Sequence, residues 1–409
     1  MMTVQTAKNL IDWCYAAVTA VALRGRRVVI LGHDSMGMET ALGHIIPTRN
    51  TFGLEITRLD MKLLADMLNK KAYNEKELEQ LRDWINKHLG KRLELRNDTD
   101  SERFNMSLAM YLIVRDLMTD LNAIGGGFMS QLEWGSDHRG IPLPVADVME
   151  SLFNSTFDHI GTKAPHPYAT EADVQGLLTM LFMTYLSGGN PPLFMDFRKV
   201  WEAWEIKELA AKIGLKKLDK KADWYNKGLV DGDNSGSAAF DWAAEPGASV
   251  TKIMKGVSMP LADEFYFPGG GNSVTFMTPA GVEGIAGRMA YSSAGGIFSM
   301  IWDQACTTEV PKELSQAMCN LTTPTWPHTF VVPKYASMTE YKQYPPANHF
   351  HMTWNLPVAR LQYWMDLTGV LSITPWAARP KFIEGIDRPE PLVHLLNGGA
   401  DTYKMLKKL

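Results

Sequence analysis

Two acids in this chain have the residue types and settings that chemistry requires. Glu171 lies in the run Tyr168-Ala-Thr-Glu-Ala-Asp-Val-Gln-Gly176, at what reads as the opening of a helix. Asp196 closes the apolar run of Leu193-Phe-Met-Asp-Phe-Arg198, a buried-strand pattern that sets it at the carboxyl end of a strand, where open α/β sheets hold their ligands. An αβ hairpin can bring two such carboxylates together, able to hold a divalent metal and to move a proton. The segment Asn348-His349-Phe-His351 offers an imidazole far along the chain. This combination points to a metal-dependent enzyme rather than a binding module.

Each residue also has a structural reading. Thr170-Glu171-Ala172-Asp173 reads as a helix start with Thr170 as N-cap and Asp173 at the capping-box position, where carboxylates complement the helix dipole without doing chemistry. Asp196 is placed to pair with Arg198 or to cap the next helix. His349 and His351 lack the i, i+4 spacing of a helical metal pair. They are expected on opposite sides of an extended segment, one a ligand and the other structural.

The elements that must position these groups change character along the chain. Strand-like Arg27-Val-Val-Ile-Leu31 runs into Gly32-His-Asp-Ser-Met-Gly37, a βα unit whose glycines do not match the dinucleotide fingerprint and which has no Walker lysine. Helical spacing is predicted at about 58–70, 74–88, 100–122, 145–154 and 171–186, with short strands near 53–56 and 127–130. The alternation predicts a doubly wound α/β first domain over 1–187. Ser187-Gly-Gly-Asn-Pro-Pro192 stops the last helix. Beyond it, glycine, proline, threonine and aromatic residues punctuate short strands, which predicts a mainly antiparallel, barrel-like β domain with helices over 188–409.

Composition removes several function classes. The chain has 409 residues with a net charge of -4, so nothing draws it to nucleic acid or to an anionic membrane. No run reaches the roughly 18 to 20 apolar residues of a membrane span. The basic cluster Arg24-Gly-Arg-Arg27 follows the apolar patch Ala16–Leu23 instead of preceding it, unlike a secretory signal. Three scattered cysteines suit a reducing, cytoplasmic setting. The 12 Trp and 13 Tyr supply flat faces that pack on sugar C–H surfaces, although core packing accounts for most of them.

A family resemblance covers most of the chain. Ala169-Thr-Glu-Ala-Asp173 followed by Met195-Asp-Phe-Arg198 resembles the two acidic metal-binding motifs of the L-fucose isomerase family. Asn234-Ser-Gly-Ser-Ala-Ala239, Tyr266-Phe-Pro-Gly-Gly-Gly271, Thr325-Trp-Pro327 and Ala347-Asn-His349 resemble successive motifs of that family in the same order. The resemblance implies that Glu171, Asp196 and His349 bind Mn²⁺ or another divalent metal, with Glu171 and Asp196 catalytic. It also implies that Met36, Ser235, Tyr266, Trp326 and Asn348 line the site of a small-molecule sugar. The activity implied is aldose–ketose isomerisation of a 6-deoxyhexose or pentose, such as L-fucose or D-arabinose, through an enediol. An epimerase or lyase acting on another polyol, or a non-catalytic sugar-binding subunit, is the alternative.

By the same resemblance, residues 1–187 correspond to the family's second domain and 188–409 to its C-terminal domain, so the family's leading domain is expected to be missing. In that family a neighbouring subunit's leading domain helps close the sugar pocket. A homo-oligomer, trimer or hexamer, is therefore expected, or a separate partner chain that supplies the wall.

Overall fold

A computed structural model describes residues 4–34, 37–129, 143–233 and 238–376. Helix α1 (Val4–Ala22) leads into β1 (Arg27–Leu31), α2 (Ile45–Phe52) and β2 (Glu55–Leu59). There follow α3 (Met61–Asn69), α4 (Glu75–Leu89), α5 (Asp98–Asp120), β3 (Ala123–Phe128), α6 (Asp147–Asn154), β4 (Tyr168–Ala169) and α7 (Val174–Leu186). Asp60, Asn74 and Asn97 start α3, α4 and α5, each side chain accepting a first-turn backbone N–H.

The four strands pair in parallel in the order β2-β1-β3-β4. Successive residues of β1 point to opposite faces, and both faces are covered. Val29 and Leu31 join one apolar cluster with Leu64, Leu81, Leu108 and Leu152, from α3 to α6. Val28 and Ile30 join another with Ala16 of α1, Phe52 of α2, and Leu177 and Leu181 of α7.

The second half supplies β5 (Leu193–Trp201), β6 (Leu229–Asp233), β7 (Glu283–Ser292), β8 (Ile297–Thr307), β9 (His328–Pro333), β10 (His349–Trp354) and β11 (Leu371–Ile373). The order β8-β7-β10-β5-β6-β9 is antiparallel throughout, and pairing of β8 with β9 closes six strands into a barrel. Strand β11 adds to β8 in parallel. The protein is thus mixed α/β, a parallel sheet with helices joined to an antiparallel barrel.

Helix α7 connects the two sheets. All but one of its residues are buried, because it is covered by β3 on one side and by β7 and β10 on another. Both apolar clusters continue into the barrel, one through Met195, Phe350 and Met352, the other through Phe194, Ile285 and Trp302. The start of α7 is therefore pressed against the start of β10.

Three local expectations are corrected. Asp196 does not close its strand: β5 runs on to Trp201, so this carboxylate stands within a strand of the antiparallel barrel and not at the end of a strand in an open α/β sheet. The N-cap of α7 is Asp173, not Thr170: its Oδ1 accepts from Gly176 N at 2.8 Å. Residues 170–172 form a separate 3₁₀ turn in which Glu171 and Ala172 have φ of 59° and 49°. Left-handed geometry at two non-glycine residues costs of the order of 1 kcal/mol each and breaks the helix before Asp173. Glu171 is consequently turned off the helix instead of serving in its first turn. His349 and His351 also share one face of β10, because strand side chains alternate with period two; both rings meet the edge or face of Phe194, at 4.8 and 4.6 Å.

Candidate functional site

The pairing register brings the far-separated residues together. In β10 and β5, His349 stands directly opposite Asp196. Directly opposed residues of an antiparallel pair project from the same face. From α7's side, the 3₁₀ turn delivers Glu171, whose Oε2 lies 3.3 Å from His349 Nε2. Glu171 and Asp196 thus each flank His349, although among the described residues no three His, Cys, Asp or Glu side chains stand close enough to form a ready-made metal cage.

A second layer fixes the imidazole. His349 Nδ1 lies 2.8 Å from Asp173 Oδ2 and donates its hydrogen there, leaving Nε2 facing Glu171. Asp173 is also bound by Arg288, through Nη1 and through Nη2 at 2.8 Å, and both side chains are buried. Arg288 Nη1 donates to His351 Nε2 at 3.2 Å, so His351 carries its proton on Nδ1. Gly176 makes this possible: a Cβ there would lie 2.5 Å from Asp173 Oδ2 and 2.7 Å from both Arg288 Nη1 and His351 Nε2.

The electrostatics follow from these contacts. Burial alone would raise Asp173, but Arg288 and His349 hold its carboxyl far below the usual range. Burial likewise works to lower His349, yet hydrogen bonds to Asp173 and Glu171 push it up to about 10. His351 is held well below its ordinary value by burial and by the neighbouring Arg288 cation, which keeps it neutral.

Asp196 is held at both oxygens. Asn348 Nδ2 donates to Oδ1 at 2.7 Å, and Arg198 Nη2 lies 3.2 Å from Oδ2. The Arg198 guanidinium sits 4.6 Å from the ring centre of Trp326, and Trp326 is 5.7 Å from Tyr266, ring centre to ring centre. Tyr266 is 40% exposed, so it is Tyr266 and not the 3% exposed Trp326 that presents an aromatic surface to solvent. Met36 and Ser235 lie outside the described residues. A cavity of about 600 Å³ lies elsewhere, beyond the far end of β10 among Glu283, Cys306, Lys334 and Asn355.

Sequence reasoning missed Asp173, Arg288 and Arg198 as members of this site. Asp173 and Arg198 were within the motifs that carried the resemblance. Arg288, inside the otherwise apolar Ile285-Ala-Gly-Arg-Met289, had the signature of a buried paired charge.

The donor set suits a divalent ion on its own chemistry. Two carboxylates and an imidazole, the latter oriented by a carboxylate on its other nitrogen, match the arrangement that second-layer groups impose on metal-binding histidines. Fold and site together define a mixed α/β protein with a carboxylate–imidazole centre where a helix beside the parallel sheet meets a barrel strand.

Residues 26–188 match the family model described as L-fucose isomerase, second N-terminal domain. The chain is 27% identical over 365 residues to L-fucose isomerase of Vibrio vulnificus (strain YJ016), covering 80% of this chain and 59% of that protein. It is 24% identical over 370 residues to L-fucose isomerase of Streptococcus pneumoniae (strain 70585), covering 82% and 61%. With L-fucose isomerase of Escherichia coli O17:K52:H18 the identity is 27% over 365 residues, covering 80% and 59%. The chain spans about three-fifths of the length of these relatives. None of its described helices is long and apolar enough to cross a membrane.

Proposed function

We propose that this chain is a metal-dependent aldose–ketose isomerase acting on a 6-deoxyhexose or pentose, such as L-fucose or D-arabinose, through an enediol. The relatives named L-fucose isomerase support the reaction class. The observation that carries it to this chain is the approach of Glu171 to His349 at 3.3 Å, beside Asp196 in the paired position.

Glu171, Asp196 and His349 are the residues that would hold the ion, proposed as Mn²⁺, with positions left open for substrate oxygens. A bound divalent ion would supply Lewis acidity that polarises the sugar carbonyl. Asp173 keeps a proton on His349 Nδ1 and so presents Nε2 as a donor atom. Asp196 is engaged by Asn348 and Arg198, whereas Glu171 meets only His349 among the described residues. Glu171 is therefore assigned to take the C2 proton and return it to C1. Asp196 is assigned to the proton exchange between O1 and O2. Tyr266 would pack against sugar C–H groups, with Met36, Ser235, Trp326 and Asn348 completing the pocket.

The reading extends to a doubly wound domain over 1–187, a barrel domain over 188–409, a homo-oligomer (trimer or hexamer) and a cytoplasmic setting. The test is Glu171→Gln, assayed on a panel of aldoses with Mn²⁺ for ketose formation and for deuterium uptake at C1 and C2. Turnover should fall at least a thousandfold and metal binding should weaken. A purified variant with wild-type metal content and activity would overturn the assignment.

A further inference from the structure

The line of opposed residues that contains His349 and Asp196 continues across the barrel. Asp196 is opposed on β6 by Asp233, and Asp233 is opposed on β9 by His328. Four adjacent strands therefore carry His349, Asp196, Asp233 and His328 side by side on one face. Each end of the row is an imidazole backed by a further buried aspartate: Asp173 at 2.8 Å from His349, and Asp231 at 2.9 Å from His328.

The two ends differ in what their second nitrogen meets. His349 Nε2 faces Glu171, a group that would share it with an ion. His328 Nε2 faces the carbonyl oxygen of Thr323 at 3.0 Å, while Nδ1 faces a carboxylate. Both neighbours of His328 are acceptors, so both of its nitrogens carry hydrogen and the ring is a fixed cation. Asp233 is held beside it, with Thr323 Oγ1 donating to Oδ2.

Between the central carboxylates lies Arg198. Its Nη2 is 3.2 Å from Asp196 and its Nε 3.2 Å from Asp233. The carboxylates are buried, at 6% and 0% side-chain exposure, while Arg198 retains 32%. The register explains its freedom to lie there. Phe197 pairs with Gly232 but Lys199 pairs with Asp231, so Arg198 is the extra residue of a β-bulge and has no partner on β6. Bulges beside functional sites re-aim a side chain in this way.

We propose that Arg198 is a positioning residue for Asp196, spanning from that carboxylate to Asp233, and that Asp233 and His328 form its anchor. The anchor holds the guanidinium by a carboxylate that the ion does not use. This fixes the direction of the Asp196 carboxylate and offsets the repulsion between two acids on paired strands. The inference rests on reading Asp196 as an ion ligand.

The experiment measures Mn²⁺ affinity by calorimetry and thermal stability for the full chain and for Arg198→Met, Arg198→Lys, Asp233→Asn and the double variant Arg198→Met/Asp233→Asn. Arg198→Met should weaken Mn²⁺ about 10- to 100-fold. Arg198→Lys keeps the charge but cannot span both carboxylates, so it should restore melting temperature without restoring affinity. Asp233→Asn should weaken Mn²⁺ in the same direction, and the double variant should bind no more weakly than Arg198→Met. Full recovery of affinity in Arg198→Lys, or losses that multiply in the double variant, would overturn the spanning role. A wild-type chain that takes up no Mn²⁺ overturns both this inference and the isomerase reading. Equal binding by wild type and Arg198→Met overturns this inference alone.

Discussion

Nδ1 of His349 lies 2.8 Å from the carboxylate of Asp173, and that contact decides which ring nitrogen faces Glu171. The two residues are 176 positions apart in the chain. Asp173 is itself held by a buried arginine, so the imidazole is aimed by a rigid pair instead of a mobile side chain.

Asp173→Asn should therefore have two separable effects. Arg288 would be left buried beside a neutral amide, at a cost of about 3 to 5 kcal/mol in unfolding free energy. His349 would lose its orienting carboxylate, weakening Mn²⁺ by about 10- to 100-fold. Urea denaturation and calorimetry measure the two. An unchanged denaturation midpoint would show that the Asp173–Arg288 pair is not the support described.

Ion binding should expel a proton. With His349 pushed up to about 10 by Asp173 and Glu171, the ring is protonated at pH 7 before the ion arrives. About one proton should be released per Mn²⁺ at that pH, and affinity should rise up to about tenfold per pH unit below pH 10. Titration in buffers of different ionisation enthalpy counts that proton. In the ion-free protein the sign for stability is opposite. The folded state holds this proton more tightly than the unfolded chain, so His349's contribution is full below the ordinary histidine range and is lost as pH rises through 10.

Gly176→Ala separates local propensity from packing. In an unconstrained helix interior the change would stabilise by about 1 kcal/mol. Here the added methyl would lie 2.5 to 2.7 Å from Asp173, Arg288 and His351. The expected result is a net loss of about 2 kcal/mol or more, with weakened Mn²⁺ binding. Stabilisation in a denaturant titration would mean that the cluster has room to spare.

Asp147, at the start of α6, is fully buried, and burial pushes its carboxyl up to about 7 against the smaller, opposing influence of the neighbouring Ser273 hydroxyl and the backbone of Val274. A raised carboxyl is protonated more readily in the folded state, so its contribution is present below the ordinary aspartate range and lost as pH rises through 7. Stability should fall by at most about 4 kcal/mol across that window. Asp233 and Asp303 are raised to about 7 by burial as well, so the informative quantity is the difference between wild type and Asp147→Asn. That difference should favour the variant more at pH 8 than at pH 5; equal melting shifts at both pH values would remove Asp147 from the account.

Local pattern made much of the architecture legible. The predicted helix at 74–88 appears as Glu75–Leu89, and that at 100–122 as Asp98–Asp120, because apolar spacing and caps are properties of neighbouring residues. The glycine- and proline-punctuated second half contains the closed antiparallel barrel, whose short strands carry their own turn signals. The same local reasoning misplaced the start of α7. Thr170 and Asp173 are both acceptable caps, and the left-handed turn at 171–172, packed against β3, leaves Asp173 to start the helix.

Sequence by itself determined which side chains were available, two acids and a histidine in motifs of a recognisable order, and which stretches would coil or extend. Tertiary structure alone decided how they meet. The register of β5 against β10 sets Asp196 opposite His349, a left-handed turn swings Glu171 off its helix, and a bulge frees Arg198 to lie between two carboxylates. The reason is physical: periodicity reports contacts between residues a few positions apart, whereas strand register is fixed by which apolar faces must be buried across the whole barrel.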